Sequence, residues 1–324
     1  MKRRALIFAM TALAAGALPA RSQSSPRRIG VLVNGSEQVW SLRFAGFRRE
    51  LAAYGYSEGR DVVLDVRWND QGLSALAGSA SDLLRARPEV VVAWPVVAAR
   101  ALHQATRTTP IVMAGGAGAL EMGLAKSLAH PGGNVTGIIS RGELIVGKRL
   151  ELLRSIAPHA SRVAFVFSGQ QLVHEAYMEA ARGSAKTLGL ALIEKKVTTR
   201  DAITGLAPSL QAAGAQAMIV AWDVLMVESR PQLIALAAQL RAPAVYPLLE
   251  FSREGGLASY SASASEIFRR AAYYVDRILK GASPGVLPIE QPTKFDLAFN
   301  LKTAKAMGLK IPEALLLRAD EVIQ

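Results

Sequence analysis

Short runs of apolar and β-branched residues alternate with amphipathic stretches along most of the chain. The runs at 28–34 and 89–94 are almost continuously apolar, which is typical of strands buried on both faces of a parallel sheet. Further predicted strands cover 62–68, 110–114, 135–139, 162–167, 191–197, 217–222, 244–246 and 257–260. Predicted helices cover 41–54, 74–87, 98–106, 144–156, 174–188, 202–213, 229–240 and 266–280. This β-α-β-α order predicts an α/β fold with doubly wound sheets.

Ten or eleven strands are too many for one compact doubly wound sheet in a chain of 324 residues, and two five-stranded sheets fit better. Clusters of Pro and Gly punctuate the pattern at 131–134, 253–256 and 284–292. We therefore expect two Rossmann-like lobes, with crossovers near 137–142, 255–262 and 286–293. The N-terminal lobe would comprise 27–138 plus 262–288, and the C-terminal lobe 139–261 plus 289–324.

Residues 1–22 are typical of a secretory signal peptide. A positive n-region at 2–4 precedes an Ala-rich apolar stretch at 5–18, and Ala20-Arg21-Ser22 offers a cleavage site. The apolar stretch is shorter than the ~20 residues that span a bilayer, although an uncleaved N-terminal anchor is the alternative. The pattern leaves Sec and twin-arginine export open. We expect a periplasmic protein, and without a cysteine it can carry no lipoprotein anchor.

Composition and charge exclude several classes of protein. Hydrophobic residues make up 51% of the chain and charged residues 20%, which is globular composition. The absence of cysteine excludes disulfide frameworks, thiol nucleophiles and Cys-based zinc sites. The net charge is +12, and losing the four cations of the signal peptide would leave +8. These charges are spread along helices, so nucleic-acid binding is not expected.

The sequence lacks the common catalytic and cofactor motifs. It has no G-x-x-x-x-G-K-[ST] loop and no H-E-x-x-H motif, and its four histidines are scattered. After Gly115-Gly116-Ala117-Gly118, Glu121 stands where a dinucleotide-binding loop would have its third glycine. The segment 55–59 matches G-x-S-x-G, but a helix precedes it and a strand follows it, the reverse of a nucleophile elbow. We expect no enzyme activity, no metal and no cofactor.

Ligands of open α/β sheets bind beyond the carboxyl ends of the strands, where this chain has small polar and aromatic residues. The candidates are Asn34, Gly35, Ser36, Trp94, Pro95, Gly115, Gly116, Ser168, Gly169, Trp222 and Asp223, with Tyr260 beside the hinge. Trp94 and Trp222 end strands in opposite lobes and could clamp a planar or apolar solute, or each could cover the core of its own lobe. Asp223 could pair with a ligand amine or cap a helix.

Several segments resemble one family, the ABC-transporter substrate-binding proteins that include tryptophan/tyrosine-type uptake proteins. They are PGGNVTG at 131–137, GKRLELL at 147–153, QPTKF at 291–295 and NLKTAKAMG at 300–308. The likeness covers about residues 28–323. It implies a type I periplasmic-binding fold, in which two lobes joined by three crossover strands close on a small-molecule solute. It also implies a membrane ABC permease as partner.

The chain departs from the family's usual pattern in the first lobe. The loop after the third strand is Trp94-Pro95-Val96-Val97, where such relatives usually have a Gly-Thr-Pro-like stretch. Gly118-Ala119 stands in place of an Asp-Pro pair, and Ser259-Tyr260-Ser261 in place of Ser-Tyr-Gly. The resemblance therefore implies a kept scaffold with a changed pocket.

These features predict a monomeric periplasmic receptor for a small organic solute, aromatic or amino-acid-like, that serves an ABC permease. Two alternatives stay open. One is an exported α/β enzyme, which turnover of a candidate solute would reveal. The other is the ligand-sensing core of a sensor or repressor, which uses the same fold.

Overall fold

The computed structural model describes residues 25–140, 142–169 and 174–324, apart from the side chains at 42, 143 and 174. The predicted signal peptide therefore lies outside the described residues. Within them, no helix is long and apolar enough to cross a bilayer.

The first sheet has five parallel strands in the order β2-β1-β3-β4-β5. The strands are β1 (Arg27–Asn34), β2 (Val62–Asn69), β3 (Val90–Trp94), β4 (Ile111–Ala114) and β5 (Val135–Ile138). The helices that alternate with them are α1 (Glu37–Ala53), α2 (Leu76–Arg85) and α3 (Val96–Ala105). All residues of β3 and β4 are buried, as expected for inner strands with helices on both faces. The edge strand β5 is also fully buried.

The chain then builds most of a second sheet. In order, its elements are α4 (Gly142–Ile156), β6 (Arg162–Phe167), α5 (His174–Thr187), β7 (Ala191–Lys196), α6 (Arg200–Thr204), α7 (Leu206–Ala212), β8 (Ala217–Val220), α8 (Val224–Glu228), α9 (Arg230–Leu240), β9 (Ala244–Tyr246), α10 (Leu249–Arg253) and β10 (Ala258–Ala262). The C-terminal elements are α11 (Ala264–Leu279), β11 (Phe295–Asn300), α12 (Leu301–Ala306), α13 (Glu313–Leu316) and β12 (Glu321–Ile323). The strand order is β12-β11-β10-β9-β8-β6-β7.

Helix α11 returns to the first lobe after the chain has left it. Its buried residues include Ile267, Phe268, Ala271, Ala272 and Val275, at the three- and four-residue spacing of one helix face. That face packs on α1 and on strands β3, β4 and β5. Helices α1 and α11 thus cover one face of the first sheet, while α2 and α3 pack with the residues of its other face.

The chain passes between the two sheets three times, from β5 to α4, from β10 to α11 and from α11 to β11. These passages are hydrogen-bonded to one another. The Ile139 amide donates to the Glu290 carbonyl (2.9 Å), the Glu290 amide to the Gly137 carbonyl (2.9 Å) and the Ser263 amide to the Lys294 carbonyl (3.0 Å). The α/β class and the two lobes predicted from the sequence are confirmed, whereas the lobe boundaries stay a prediction.

The expectation of five strands in each sheet is wrong for the second sheet, which has seven strands among the described residues. Strand β11 runs antiparallel to β10, and β12 pairs with β11 in parallel. The three residues of β12 are too few to carry a hydrophobic period, so the pattern does not reveal this strand. The stretch at 202–213 forms two helices, α6 and α7, with Gly205 between them.

Candidate functional site

A cavity of about 210 Å³ lies between the two lobes, at the carboxyl ends of their strands. The first lobe contributes Trp94, at the end of β3, and the loop 115–118 after β4. The second lobe contributes Arg149 of α4, Tyr177 of α5 and Trp222, which follows β8. A solute bound in this cavity would therefore contact both lobes.

The loop after β4 approaches its neighbours so closely that glycine is required. Gly115 and Gly116 have φ values of 100° and 93°, in the region that favours glycine. A Cβ on Gly116 would lie 2.7 Å from the backbone nitrogen of Val96, and one on Gly115 would lie 3.0 Å from the Trp94 ring. The Ser140 amide donates to the Gly116 carbonyl (2.7 Å) and fixes the loop beside the hinge.

Trp94 is both a core residue and a cavity residue. Only 5% of it is exposed, and its ring stacks on Phe268 at a centroid distance of 4.9 Å and an interplanar angle of 18°. It also packs on Trp40 at 5.4 Å. Pro95 follows through a cis peptide bond and precedes the first residue of α3, and it is not part of the cavity wall.

Trp222 meets Trp94 edge to face, with centroids 6.4 Å apart and planes at 75°. A planar solute sandwiched between two indoles needs about 7 Å between parallel ring planes, because carbon atoms pack about 3.5 Å apart. The predicted clamp with a solute between the two rings is therefore not the arrangement in this structure. Instead, the two indoles contact each other and together form an aromatic part of the cavity wall.

The residues at the end of β1 and just after it, Asn34, Gly35 and Ser36, lie outside the cavity wall. The Asn34 side chain accepts from the Asn69 amide group (2.8 Å), and the Gly35 amide donates to the Asn69 carbonyl (2.8 Å). The Ser36 amide donates to Glu228 Oε1 (3.0 Å). Asn34 and Gly35 thus hold the end of β2, while Ser36 joins the first lobe to α8 of the second.

Ser168, Gly169 and Asp223 also lie outside the cavity wall. The Asp223 carboxylate accepts from the amides of Met226 (2.9 Å) and Ser168 (3.2 Å), so it caps α8. The carboxylate is 5% exposed, and burial raises its pKa while the backbone donors oppose that rise. The helix-cap alternative describes Asp223 in this structure, and a ligand amine would have to displace these backbone donors.

Tyr260 lies in β10 and does not line the cavity between the lobes. Its ring stacks on Phe295 with centroids 5.6 Å apart and planes at 11°, and it lines a separate surface cavity that includes Pro292. The Tyr260 carbonyl accepts from Arg149 Nε (2.9 Å). This hydrogen bond connects Tyr260 to a residue of the main cavity wall.

Sequence reasoning from strand ends missed Arg149, because this residue comes from a helix. It is 2% exposed, and its Nη1 donates to the Tyr177 hydroxyl (3.1 Å). Burial lowers the pKa of Arg149 and raises that of Tyr177. The sequence does contain a signal, since Arg149 falls in the buried stripe Ile145, Val146, Leu150 and Leu153 of α4. An arginine is seldom fully buried unless it is paired.

Arg43 of α1 is the second buried cation of the cavity wall. It is 8% exposed, and its Nη2 lies 2.5 Å from Glu250 of α10, in the other lobe. The guanidinium also lies 4.8 Å from the centre of the Trp40 ring. Burial lowers the pKa of Arg43, and the Glu250 carboxylate opposes this effect. Arg43 is therefore a neutralised ion that links the lobes beside the cavity.

Several known proteins share this architecture. The tyrosine-binding protein of Clostridioides difficile (strain R20291) is 24% identical over 265 residues, which span 82% of this chain and 76% of that protein. The structure of an ABC domain from Streptococcus pneumonia in complex with L-Trp superposes with a TM-score of 0.85 and 25% identity, over 92% of this chain and 100% of that one. A ligand-free, open substrate-binding protein from Clostridium difficile gives a TM-score of 0.69 at 22% identity, over 92% and 99% of the two chains.

These similarities agree with the two lobes, the three passages and the cavity between the sheets, which together make a type I periplasmic-binding-protein fold. The family model described as "ABC transporter substrate binding protein" matches residues 28–323. The chain belongs to the ABC transporter substrate-binding protein family.

Proposed function

We propose that this protein is the exported solute receptor of an ABC uptake transporter and that it binds a small organic solute in the cavity between the lobes. The observation that carries the proposal is the composition of the cavity wall, to which both lobes contribute. A solute that contacts both lobes favours the state in which they meet, because only that state offers all the contacts. The three adjacent passages would serve as the hinge.

The wall favours a solute with an apolar or aromatic part. Trp94 and Trp222 present indole surface to the cavity, and Ile145, Leu248 and Ile267 add aliphatic surface. Pockets of this kind bind the apolar body of a ligand and orient it with a few polar groups. The L-Trp bound by the Streptococcus pneumonia protein and the name of the Clostridioides difficile relative support the same size class.

Binding without chemistry is the function that these residues support best. The described residues that line the cavity include no histidine. The Ser140 hydroxyl donates to the Gly116 carbonyl (3.2 Å), so it already has a backbone partner. Receptors need no nucleophile and no general base, whereas the exported-enzyme alternative needs both or a substitute. We further propose that the mature protein acts as a monomer in the periplasm and delivers its solute to a membrane permease.

A thermal-stability screen of the purified mature protein tests the proposal. The panel should contain amino acids, aromatic acids, sugars and other small solutes. A solute present at 100 times its dissociation constant should add about 2.7 kcal/mol to the free energy of unfolding. The same mixtures, analysed by mass after prolonged incubation, should show the stabilising solute unchanged. Consumption of the solute would support the enzyme alternative, and a panel with no stabilising solute would contradict the receptor.

A further inference from the structure

Among the described residues that line the cavity, the buried charges do not balance, and the excess positive charge is Arg149. Its guanidinium is buried at 2% exposure and lines the cavity. Among the described residues it has two acceptors, both uncharged, namely the Tyr260 carbonyl (2.9 Å) and the Tyr177 hydroxyl (3.1 Å). No carboxylate of the described residues forms an ion pair with it, and its Nη2 donates to none of them.

The other charged groups of the wall do not compensate Arg149. Arg43 is neutralised by Glu250 at 2.5 Å. Asp223 is held by the amides of Met226 and Ser168 and is not part of the wall. Glu121 lines the cavity but is exposed to solvent, where its field is screened. Asp223 still acts on the Tyr177 hydroxyl through its charge, but it forms no ion pair with Arg149. The described wall therefore contains one buried cation without an ion-pair partner.

A guanidinium keeps its proton in a protein, so Arg149 cannot relieve its burial by becoming neutral. Burying an ion without a counter-ion is unfavourable, and an anion that arrives in the same place recovers the lost solvation through Coulomb attraction and charge-assisted hydrogen bonds. The planar guanidinium matches a carboxylate especially well. The Tyr177 and Tyr260 contacts hold the group in position, so little ordering is needed when the anion binds.

We propose that Arg149 binds the carboxylate of the solute and that the solute is an organic acid without a required ammonium group. Its apolar part lies against Trp94 and Trp222. The assignment rests on the proposed receptor function and narrows it to one chemical class. Glu121, the one carboxylate among the described wall residues, is exposed to solvent, so an amine would find no buried ionic partner there. A monoanionic acid should consequently bind better than the zwitterionic amino acid of the same shape.

Calorimetric titration with four indoles of matched shape tests this inference. They are 3-(indol-3-yl)propanoate, L-tryptophan, tryptamine and 3-(indol-3-yl)propan-1-ol, which offer an anion, a zwitterion, a cation and a neutral group. We expect the acid to bind at least tenfold more tightly than tryptophan or the alcohol, and tryptamine to bind most weakly. Equal binding of the acid and the alcohol, or tighter binding of tryptophan, would overturn the proposal.

Variants then test whether the preference for the acid over the alcohol depends on the Arg149 side chain. Arg149→Met should lower the affinity for the acid at least thirtyfold and the affinity for the alcohol far less, while Arg149→Lys should keep part of the preference. Arg154→Met is the matched control, because Arg154 lies on the same helix, donates to the Ala160 carbonyl and does not line the cavity. Tyr177→Phe removes one positioning contact and retains the charge, so the acid should still be preferred. If Arg149→Met fails to fold, the wild-type series and Arg149→Lys still decide the matter.

The thermal-stability screen distinguishes failure of the proposed role of Arg149 from failure of the proposed receptor function. If the indoles do not bind but another organic acid stabilises the protein, that acid replaces them, and Arg149→Met must abolish its preference over its neutral analogue. If a sugar or another neutral solute is the tightest ligand, the receptor stands and the role of Arg149 is refuted. If no solute stabilises the protein, the receptor itself is refuted, and this inference with it.

Discussion

Trp222 is a half-buried indole whose edge-to-face contact with Trp94 joins the two lobes. An aromatic side chain buries roughly 150–250 Å² and adds about 0.5–1.5 kcal/mol when it pairs well with another ring. Because Trp222 lines the cavity, part of this surface should be available to the solute. We predict that Trp222→Ala weakens solute binding at least about tenfold, which corresponds to 1.4 kcal/mol, as measured by titration.

The control for this prediction is Trp68→Ala. Trp68 packs edge to face on Phe44 within the first lobe, at 5.8 Å, and does not line the cavity. Its truncation should lower the free energy of unfolding without changing solute affinity. Unchanged affinity in Trp222→Ala would contradict a contact between this indole and the solute.

For single residues of the cavity wall, the sequence pattern identifies the aromatic side chains and misses the buried arginine. Trp94 ends β3, and Gly115, Gly116 and Trp222 follow the ends of β4 and β8. The topology of an open sheet therefore brings all four to the cavity. Arg149 reaches the same place from α4, and nothing in the strand pattern points to it.

The small polar residues at strand ends follow a different rule from the aromatic ones. Asn34 and Asp223 are short enough to bond nearby backbone and amide groups, and such local bonds compete with a ligand. In this structure they support a strand end and a helix start. Sequence alone cannot decide between the local bond and the ligand, because both demand the same residue type at the same place.

At the scale of elements, the start of α1 and the end of α8 meet across the two lobes. The Ser36 amide donates to the Glu228 carboxylate (3.0 Å), and hydrogen bonds to charged groups contribute about 1.5–3 kcal/mol. This contact exists only when the lobes are together, so it should stabilise the closed state. We predict that Glu228→Ala weakens solute binding about tenfold and speeds dissociation, as measured by stopped-flow fluorescence.

Glu254→Ala is the matched control, because Glu254 pairs with Arg230 at 2.9 Å inside the second lobe. Glu254 is exposed and Arg230 is partly buried in this pair, which should contribute about 1 kcal/mol to folding and nothing to closure. Equal losses of affinity in the two variants would argue against a special role for the Ser36–Glu228 contact.

The elements that the sequence predicts best are those with long regular patterns. Helix α11 repeats its buried positions over sixteen residues, Ala264–Leu279, and its span differs from the predicted 266–280 by two residues at most. Strand β12 is three residues long and half-buried, and it is placed by pairing with β11. Such a short strand forms because it pairs with its neighbour, so its own sequence is not enough to predict it.

At the scale of the whole molecule, export is the first property to test. We predict that the mature chain begins close to residues 21–23 and is recovered from the periplasm, because the n-region, the apolar stretch and the small residues occur in signal-peptide order. N-terminal sequencing of periplasmic protein measures this directly. The joint substitution Arg3→Lys and Arg4→Lys should abolish twin-arginine export and leave Sec export intact. Met1 retained on cytoplasmic protein would contradict the prediction.

The second property of the whole molecule is closure about the hinge. The passages lie side by side and are joined by backbone hydrogen bonds, such as Ile139 to Glu290 at 2.9 Å. They can therefore bend together while each lobe keeps its own core. Gln38 in α1 and Glu179 in α5 are exposed residues of opposite lobes. We predict that a solute identified in the stability screen lowers the mean distance between these two residues and narrows the distribution of distances.

Because the chain contains no cysteine, the double variant Gln38→Cys with Glu179→Cys would carry two spin labels and no background label. The mean distance should change by more than about 2 Å, the size at which lobe rearrangement exceeds ordinary side-chain adjustment. Gln38→Cys with Ser81→Cys places both labels in the first lobe and should give the same distribution with and without solute. A ligand that leaves the interlobe distribution unchanged, or moves both pairs alike, would mean that binding does not close the lobes. The permease would then have no closed form to recognise.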